Sequence, residues 1–169
     1  MIKPDQHVVL VGMTGVGKST VARVLAVRLG RAVWDSDQVI EGRTGRSVRD
    51  IFAEDGEPEF RRLESEALAD ALAYPTPLVI ATGGGMVVAE ANRAAMRAAG
   101  ARVVWLCADP ATLAERVQPG GHRPLLDADP AGTLHLMFKA REPLYREVAD
   151  AIVLVDNRSV NDVVEAVLR

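Results

Sequence analysis

A glycine-rich stretch near the start of the chain, GMTGVGKST at residues 12–20, restricts the possible folds more than any other segment. A β-branched apolar run, residues 7–11, precedes it, and a helix-forming run, residues 19–29, follows it. The stretch matches the phosphate-binding pattern G-x-x-x-x-G-K-[ST] at all four defined positions, Gly12, Gly17, Lys18 and Ser19. A strand, a glycine turn and a helix in this order predict a phosphate-binding loop rather than a chance match.

The residue types in this loop suit a bound triphosphate. Gly12, Gly15 and Gly17 permit backbone angles that other residues rarely adopt, so successive N–H groups can face one anion. The N-terminus of the following helix adds its positive end. Lys18 is long enough to reach the β- and γ-phosphates, and the Ser19 hydroxyl is a ligand for Mg²⁺. The chain is therefore predicted to bind a nucleoside triphosphate with Mg²⁺.

Short apolar strands alternate with helical segments along the chain, which predicts an α/β fold with a mostly parallel sheet and helices on both faces. The predicted strands are residues 7–11, 32–34, 78–81, 102–106 and 152–155. After the second strand, helical pieces at 38–41 and 47–54 are predicted to be separated by Gly42 and Gly45. Because 169 residues suit one substantial core, we expect a single domain spanning residues 1–169.

The composition excludes several classes of partner. A net charge of -3 argues against nucleic acid, and no apolar run approaches the length that spans a membrane. The single cysteine, Cys107, falls in a predicted buried strand, which fits a reducing compartment. No leader peptide is recognisable, so the chain is expected to be cytoplasmic.

Two carboxylates, Asp35 and Asp37, follow the second predicted strand, and ligands gather at such strand ends in parallel sheets. In an extended chain, side chains two residues apart point to the same side. One carboxylate could hold Mg²⁺ through water while the other accepts a hydrogen bond from a substrate hydroxyl. The alternative is that the pair caps the next helix. The nearby phosphate loop favours the functional interpretation.

A charged cluster lies in the first turns of the helix predicted to begin near Pro58. Arg61 and Glu64 are three residues apart, so they share one face of this helix. A guanidinium fixed by Glu64 could bind a substrate carboxylate through two parallel hydrogen bonds. Arg62 and Glu66 are predicted to belong to an ordinary solvated face.

Three consecutive glycines, Gly83, Gly84 and Gly85, follow the third predicted strand. One glycine is sufficient for a turn. Three together predict a backbone that comes close to a ligand and offers it N–H groups, the alternative being a flexible loop tip.

Three further arginines are candidate site residues. A polar, glycine-rich segment, residues 118–124, interrupts an otherwise compact pattern and predicts a functional loop. Arg123 belongs to this segment and could close over the phosphates, where a cation offsets charge that develops in the transition state. Arg116 and Arg141 fall on predicted helices, and surface charge is the alternative for all three arginines.

Six segments of the chain resemble, in order, the motifs of the shikimate kinases, small P-loop kinases of the nucleoside-monophosphate-kinase group. They are the phosphate loop, D-S-D at 35–37, F-R-R-L-E at 60–64, A-T-G-G-G at 81–85, H-R-P-L-L at 122–126 and R-E-P-L-Y at 141–145. The resemblance covers nearly the whole chain. It implies a three-layer P-loop fold whose five-stranded parallel sheet has the order 2-3-1-4-5. It also implies a substrate-binding region at about 35–62 and a lid at about 117–127.

The resemblance further implies transfer of the ATP γ-phosphoryl group to the 3-hydroxyl of shikimate, in aromatic amino acid biosynthesis. The implied ATP contacts are Gly15, Val16, Gly17, Lys18, Ser19, Thr20, Arg116, Arg123 and Arg158. The implied shikimate contacts are Asp37, Arg61, Gly83, Gly84, Gly85 and Arg141. Catalysis is implied for Lys18, Asp37 and Arg123, and Mg²⁺ binding for Ser19 and Asp35. We expect a monomer whose partners are these small molecules and neither nucleic acid nor a membrane.

Three alternatives to this function stay open. A gluconate kinase would also need arginines for a carboxylate, so Arg61 and Arg141 alone do not exclude it. A nucleoside-monophosphate kinase and an ATP-dependent switch without transfer activity would share the same phosphate loop. The D-S-D motif combined with three glycines favours shikimate, and the presence of every residue that the chemistry needs disfavours the switch.

Overall fold

A computed structural model describes residues 1–117 and 128–169 of the chain. In this part of the chain, five parallel strands form one sheet with the order β2-β3-β1-β4-β5, which confirms the predicted fold class and strand order. The strands are β1 Val8–Val11, β2 Ala32–Asp35, β3 Leu78–Ala81, β4 Arg102–Cys107 and β5 Ala151–Leu154.

The central strand β1 is buried along its whole length. Its four residues, VVLV, have no exposed surface. Because successive side chains of a strand point to opposite faces, both faces of the sheet must be covered by helices. Val9 pairs with Ile80 of β3 and with Val103 of β4, so the phosphate loop leaves the sheet at its centre.

Eight α-helices are found within residues 1–117 and 128–169. They are α1 Lys18–Leu29, α2 Ser36–Thr44, α3 Val48–Asp55, α4 Glu57–Leu72, α5 Glu90–Ala98, α6 Pro110–Arg116, α7 Pro130–Val148 and α8 Val160–Leu168. A short 3-10 helix, Met86–Val88, follows the triple glycine. Side-chain oxygens cap several of the helices, as Asp109 does by accepting a hydrogen bond from Ala111 N at the start of α6. Among these helices, none has the length and apolar character required to span a lipid bilayer.

The helix after β2 differs from the prediction. Gly42 does not interrupt it, since α2 continues to Thr44 and ends at Gly45, whose φ of 66° closes the helix in the left-handed conformation. A single glycine costs a helix only about 1 kcal/mol, which the burial of Ile40 from the same helix offsets.

A second, smaller apolar cluster joins α2, α3 and α4 beside the main core of the sheet. Its buried members are Ile40, Val48, Ile51, Phe60 and Ala67. Because Phe60 lies in this cluster, the next residue, Arg61, starts from a fixed backbone position in α4. The cluster therefore holds the predicted substrate-binding region, about 35–62, against the sheet as one packed unit.

Candidate active site

The carboxyl ends of β1, β2 and β3 meet at one cleft. The phosphate loop follows β1, Asp35 ends β2, and the glycine run follows β3. The cleft is lined by Thr14, Gly15, Gly17, Lys18, Ser19, Thr20, Asp35, Ser36, Asp37, Thr82, Gly83 and Gly84. Three of the predicted shikimate contacts, Asp37, Gly83 and Gly84, therefore face the same space as the phosphate loop.

The phosphate loop is packed so tightly that side chains are excluded at two of its glycines. Gly12 has a φ of 144°, and a Cβ atom there would overlap the carbonyl oxygen of Leu106. Gly15 has a φ of 82°, and its Cβ would lie only 2.9 Å from Val117 Cγ2. These contacts and angles require glycine, and they bring the end of α6 against the loop.

Lys18, the first residue of α1, is buried with 8% of its surface exposed. Its Nζ donates hydrogen bonds to the carbonyl oxygens of Gly12 and Met13, at 2.6 and 2.8 Å. The ammonium group therefore lies across the opening of the phosphate loop. A phosphate bound there would offer it charged oxygens as acceptors in place of the two neutral carbonyls.

The Ser19 hydroxyl donates a 2.5 Å hydrogen bond to Asp35 Oδ2, which joins the start of α1 to the end of β2. Hydroxyl and carboxylate oxygens are the ligands that Mg²⁺ prefers, and this cation usually keeps several waters and substrate phosphates as its other ligands. In residues 1–117 and 128–169, no three His, Cys, Asp or Glu side chains cluster closely enough to bind a metal alone. The Ser19–Asp35 pair thus fits a Mg²⁺ ion that arrives with a nucleotide.

Asp37 reaches the cleft by a route that the sequence interpretation missed. It lies in the first turn of α2 and not in extended chain. The prediction that an extended backbone places it on the same side as Asp35 is therefore wrong. Asp35 is the residue that caps α2, accepting a hydrogen bond from Gln38 N at 3.3 Å. Asp37 still lines the cleft, half-buried, opposite the phosphate loop.

Arg61 and Glu64 hold each other as their spacing predicted. Arg61 Nη1 lies 2.5 Å from Glu64 Oε2, and its Nη2 lies 3.0 Å from Glu57 Oε1. Burial lowers the pKa of the Arg61 guanidinium, but the two carboxylates outweigh burial and raise its net pKa above the ordinary value. Arg61 therefore stays charged, and two acceptors fix its orientation.

Glu64 is almost completely buried, with 1% of its side chain exposed, and its Oε1 has no hydrogen-bond partner. Burial raises the pKa of this carboxyl and the negative charge of Asp37 adds to the rise, whereas Arg61 and Arg141 oppose it. Asp37, Arg61 and Arg141 are thus close enough to Glu64 to interact electrostatically, although they come from three different helices.

The triple glycine is explained by protein groups that pack against it. A Cβ atom at Gly83 would overlap Glu64 Oε1, and one at Gly85 would overlap the guanidinium of Arg61. A Cβ at Gly84 would lie 3.0 Å from Thr14 N. The predicted close approach to a ligand stays a prediction, but the ion pair and the phosphate loop already require three residues without side chains.

Arg141 approaches the same run from α7. Its Nη1 lies 3.6 Å from the position that a Cβ atom of Gly84 would take. Arg61 and Arg141, which are 80 positions apart in the sequence, therefore flank the glycine run together. The solvated-face interpretation of Arg62 is confirmed, because this side chain is exposed and pairs with two neighbours on its own helix, Glu59 and Glu66.

Arg116 and Arg158 are exposed, and neither is among the residues that line the cleft. Arg116 ends α6, next to the Val117 side chain that touches the phosphate loop. Arg158 follows β5 in a turn that is tied to the start of α6, since Asp109 N donates to Asp156 Oδ2 at 2.9 Å. Arg123, with most of the predicted lid, lies outside the described residues.

Sequence reasoning left out three polar residues that line the cleft, Thr14, Ser36 and Thr82. Each is adjacent to a motif residue that was identified, which is the signal that could have found them. Ser36 is buried, and the Thr82 hydroxyl donates to the carbonyl of Leu10 at 2.9 Å, which joins the end of β3 to β1.

The family model for shikimate kinase matches residues 14–169. The chain belongs to the shikimate kinase family. A shikimate kinase from Symbiobacterium thermophilum is 46% identical over 165 residues, which covers 96% of this chain and 94% of the relative. One from Pseudomonas entomophila is 46% identical over 164 residues, with the same coverage. Membership confirms the resemblance predicted from the motifs and makes the chain an ATP-using kinase.

Solved structures agree with this family assignment. A shikimate kinase from Acinetobacter baumannii in complex with shikimate superposes with a TM-score of 0.92 and 36% identity, covering 96% of this chain and 90% of that one. A gluconokinase from Sinorhizobium meliloti 1021 has a TM-score of 0.65 and 20% identity, covering 99% and 91% of the two chains. The similarity to the gluconokinase shows a shared fold and nothing about function.

Proposed function

We propose that the chain transfers the γ-phosphoryl group of ATP to the 3-hydroxyl of shikimate, as a step of aromatic amino acid biosynthesis. The observation that carries this proposal is a single cleft lined by both the phosphate loop and Asp37, with Arg61 and Arg141 packed against its glycine wall. This arrangement suits an acceptor that has a hydroxyl at one end and a carboxylate at the other.

The nucleotide side of the cleft would hold ATP through the phosphate loop. Amide groups of residues 15–20 and the Lys18 ammonium bind the β- and γ-phosphates. Ser19 and Asp35 hold Mg²⁺, which offsets negative charge on the phosphates when it is bound. Arg116 and Arg158 contact the nucleotide from outside the loop, Arg158 on the adenine.

The acceptor side would orient shikimate. Arg61 and Arg141 bind the carboxylate, and an amide of the run Gly83–Gly85 holds a hydroxyl. Asp37 accepts the hydrogen bond of the attacking 3-hydroxyl and directs its oxygen at the γ-phosphorus. Phosphoryl transfer needs little nucleophile activation when the transition state is loose, so this positioning supplies much of the catalysis.

The remaining assignments complete the proposal. Arg123, on the lid at about 117–127, closes over the phosphates and offsets charge in the transition state. Residues 35–62 form the substrate-binding region of one domain that spans 1–169. The enzyme works as a cytoplasmic monomer.

A coupled assay of ADP release with shikimate, gluconate and several nucleoside monophosphates tests the acceptor. We expect turnover with shikimate and background rates with the others. Turnover with a nucleotide or with gluconate but not with shikimate would contradict the proposal. Binding of ATP without turnover on any acceptor would favour the switch.

Asp37→Asn tests the hydroxyl-orienting role. Because a carboxylate accepts a hydroxyl hydrogen bond more strongly than an amide does, kcat should fall by about 10²-fold or more while ATP still binds. Asp70→Asn is a matched control, since Asp70 is an exposed partner of Arg43 on the outer face of α4. Near-normal kcat in Asp37→Asn would show that this carboxylate has another role.

A further inference from the structure

Tyr145 lies where three parts of the proposed site meet. It belongs to α7, one turn after Arg141, and its side chain is completely buried. Its hydroxyl donates a 2.6 Å hydrogen bond to the carbonyl oxygen of Gly84. The same hydroxyl lies 3.7 Å from the Sδ atom of Met13 in the phosphate loop.

The triple glycine needs anchors because glycine loses more conformational freedom on folding than any other residue. Two of its carbonyls are held by backbone N–H groups close by in the sequence. Met86 N donates to Gly83 O at 3.1 Å, and Val88 N donates to Gly85 O at 3.0 Å. The middle carbonyl, that of Gly84, instead accepts from a side chain 61 positions further along the chain. The peptide between Gly84 and Gly85 thus depends on α7 for its orientation.

We infer that Tyr145 is a positioning residue that fixes the Gly84 peptide, and through it the acceptor side of the cleft, relative to the phosphate loop. A peptide unit is planar, so holding the Gly84 carbonyl also fixes the direction of the Gly85 N–H. Gly84 lines the cleft, and Arg141 approaches it from the same helix as Tyr145. This role rests on the proposed function of the glycine run in binding shikimate.

The phenol ring is itself held rigidly, which lets its hydroxyl serve as a fixed point. It stacks on Trp105 of β4 with ring centroids 5.6 Å apart and planes 23° apart. Burial raises the pKa of Tyr145 to about 12, and the nearby Arg141 guanidinium opposes the rise. The hydroxyl therefore remains a donor at every pH at which the enzyme would work.

Tyr145→Phe separates the hydroxyl from the packing of the ring. Phenylalanine keeps the ring's contact with Trp105, so the protein should fold. It removes the hydrogen bond to the Gly84 carbonyl together with the hydroxyl's contacts with Met13 Sδ and Arg141, and faster exchange in the glycine run is the readout specific to the Gly84 bond. We expect kcat/KM for shikimate to fall about 3- to 10-fold, the worth of one neutral hydrogen bond, mainly through a higher KM. The KM for ATP should change less than about 2-fold. Amide hydrogen exchange in residues 83–86 should also become faster.

Tyr74→Phe is the chemically matched control, because Tyr74 is an exposed tyrosine that precedes β3, whereas the glycine run follows the other end of that strand. It should leave both KM values and the exchange rates unchanged. Equal rises in the KM for shikimate and for ATP in Tyr145→Phe would show general loosening and overturn the positioning role, as would unchanged kinetics. If the wild-type chain fails to phosphorylate shikimate, the proposed function fails first, while the exchange measurement still tests whether Tyr145 anchors the run.

Discussion

Gly85→Ala tests whether the glycine run is required because it leaves room for Arg61. Gly85 has a φ of -89° and a ψ of 0°, angles that alanine also adopts, so the substitution introduces no backbone strain of the left-handed kind. A methyl group there would nevertheless overlap the Arg61 guanidinium. Because that group ends a long flexible side chain, we expect it to move while the backbone stays in place.

The size of the effect follows from the contacts that Arg61 would lose. Displacement breaks its 2.5 Å contact with Glu64 and misplaces the group proposed to bind the substrate carboxylate. A hydrogen bond to a charged group contributes about 1.5–3 kcal/mol, so the KM for shikimate should rise about 10- to 150-fold. The buried Glu64 carboxylate loses a partner, which should lower the free energy of unfolding by about 1–2 kcal/mol.

The assay is steady-state ADP release with shikimate varied at saturating ATP and then ATP varied at saturating shikimate, together with thermal unfolding. The KM for ATP should stay within about 2-fold, since the phosphate loop is untouched. Gly42→Ala is a matched control, because Gly42 is inside α2 and, apart from its own helix backbone, none of the described residues has an atom within 4 Å of the added Cβ. It should raise the free energy of unfolding by about 0.5–1 kcal/mol and change neither KM.

An unchanged KM for shikimate in Gly85→Ala would refute this reasoning. It would mean either that Arg61 does not bind the acid or that its guanidinium binds from several positions. Arg61→Lys distinguishes the two, because an ammonium cannot form the paired contact from any position. If the KM for shikimate rises in Arg61→Lys but not in Gly85→Ala, Arg61 binds the acid and Gly85 is not needed to leave room for it.

Three further predictions concern separate parts of the molecule. His7 Nδ1 accepts a hydrogen bond from Leu78 N at 3.0 Å, and burial lowers the pKa of His7. The free energy of unfolding should therefore be highest above about pH 6.5 and should fall as the pH drops toward the lowered pKa. Urea unfolding from pH 5 to 8 should show this decline, and His7→Asn should flatten it. Asp35→Asn should raise the Mg²⁺ concentration for half-maximal activity about 10-fold, and an unchanged Mg²⁺ titration would exclude Asp35 from the metal site. Arg62→Ala should alter neither KM and should shift the melting temperature by less than about 4 °C, since exposed ion pairs contribute at most about 1 kcal/mol; a large kinetic effect would contradict its solvated position.

The nucleotide half of the site is determined by the sequence itself. The residues from Gly12 to Ser19 are contiguous, and the local backbone fixes their relative positions once a strand precedes them and a helix follows. Alternation of strands and helices likewise predicts a parallel α/β sheet, because few other arrangements bury such a pattern. Lys18 and Ser19 are therefore recognisable as phosphate-loop residues from the sequence itself.

The acceptor half depends on tertiary structure. The sequence paired Arg61 with Glu64, but it could not show that Glu64 is buried or that its oxygen fills the space a side chain at Gly83 would need. It also placed Asp37 in an extended segment after the second strand, because local pattern does not reveal where β2 ends and α2 begins.

The contact of Tyr145 with Gly84 joins residues that only the packing of α7 on the sheet brings together. Local backbone preferences act over a few residues, whereas burial and close approach depend on which distant elements become neighbours. Sequence thus determined the phosphate loop, and the fold decided how the three glycines, two arginines and one tyrosine pack together beside the cleft.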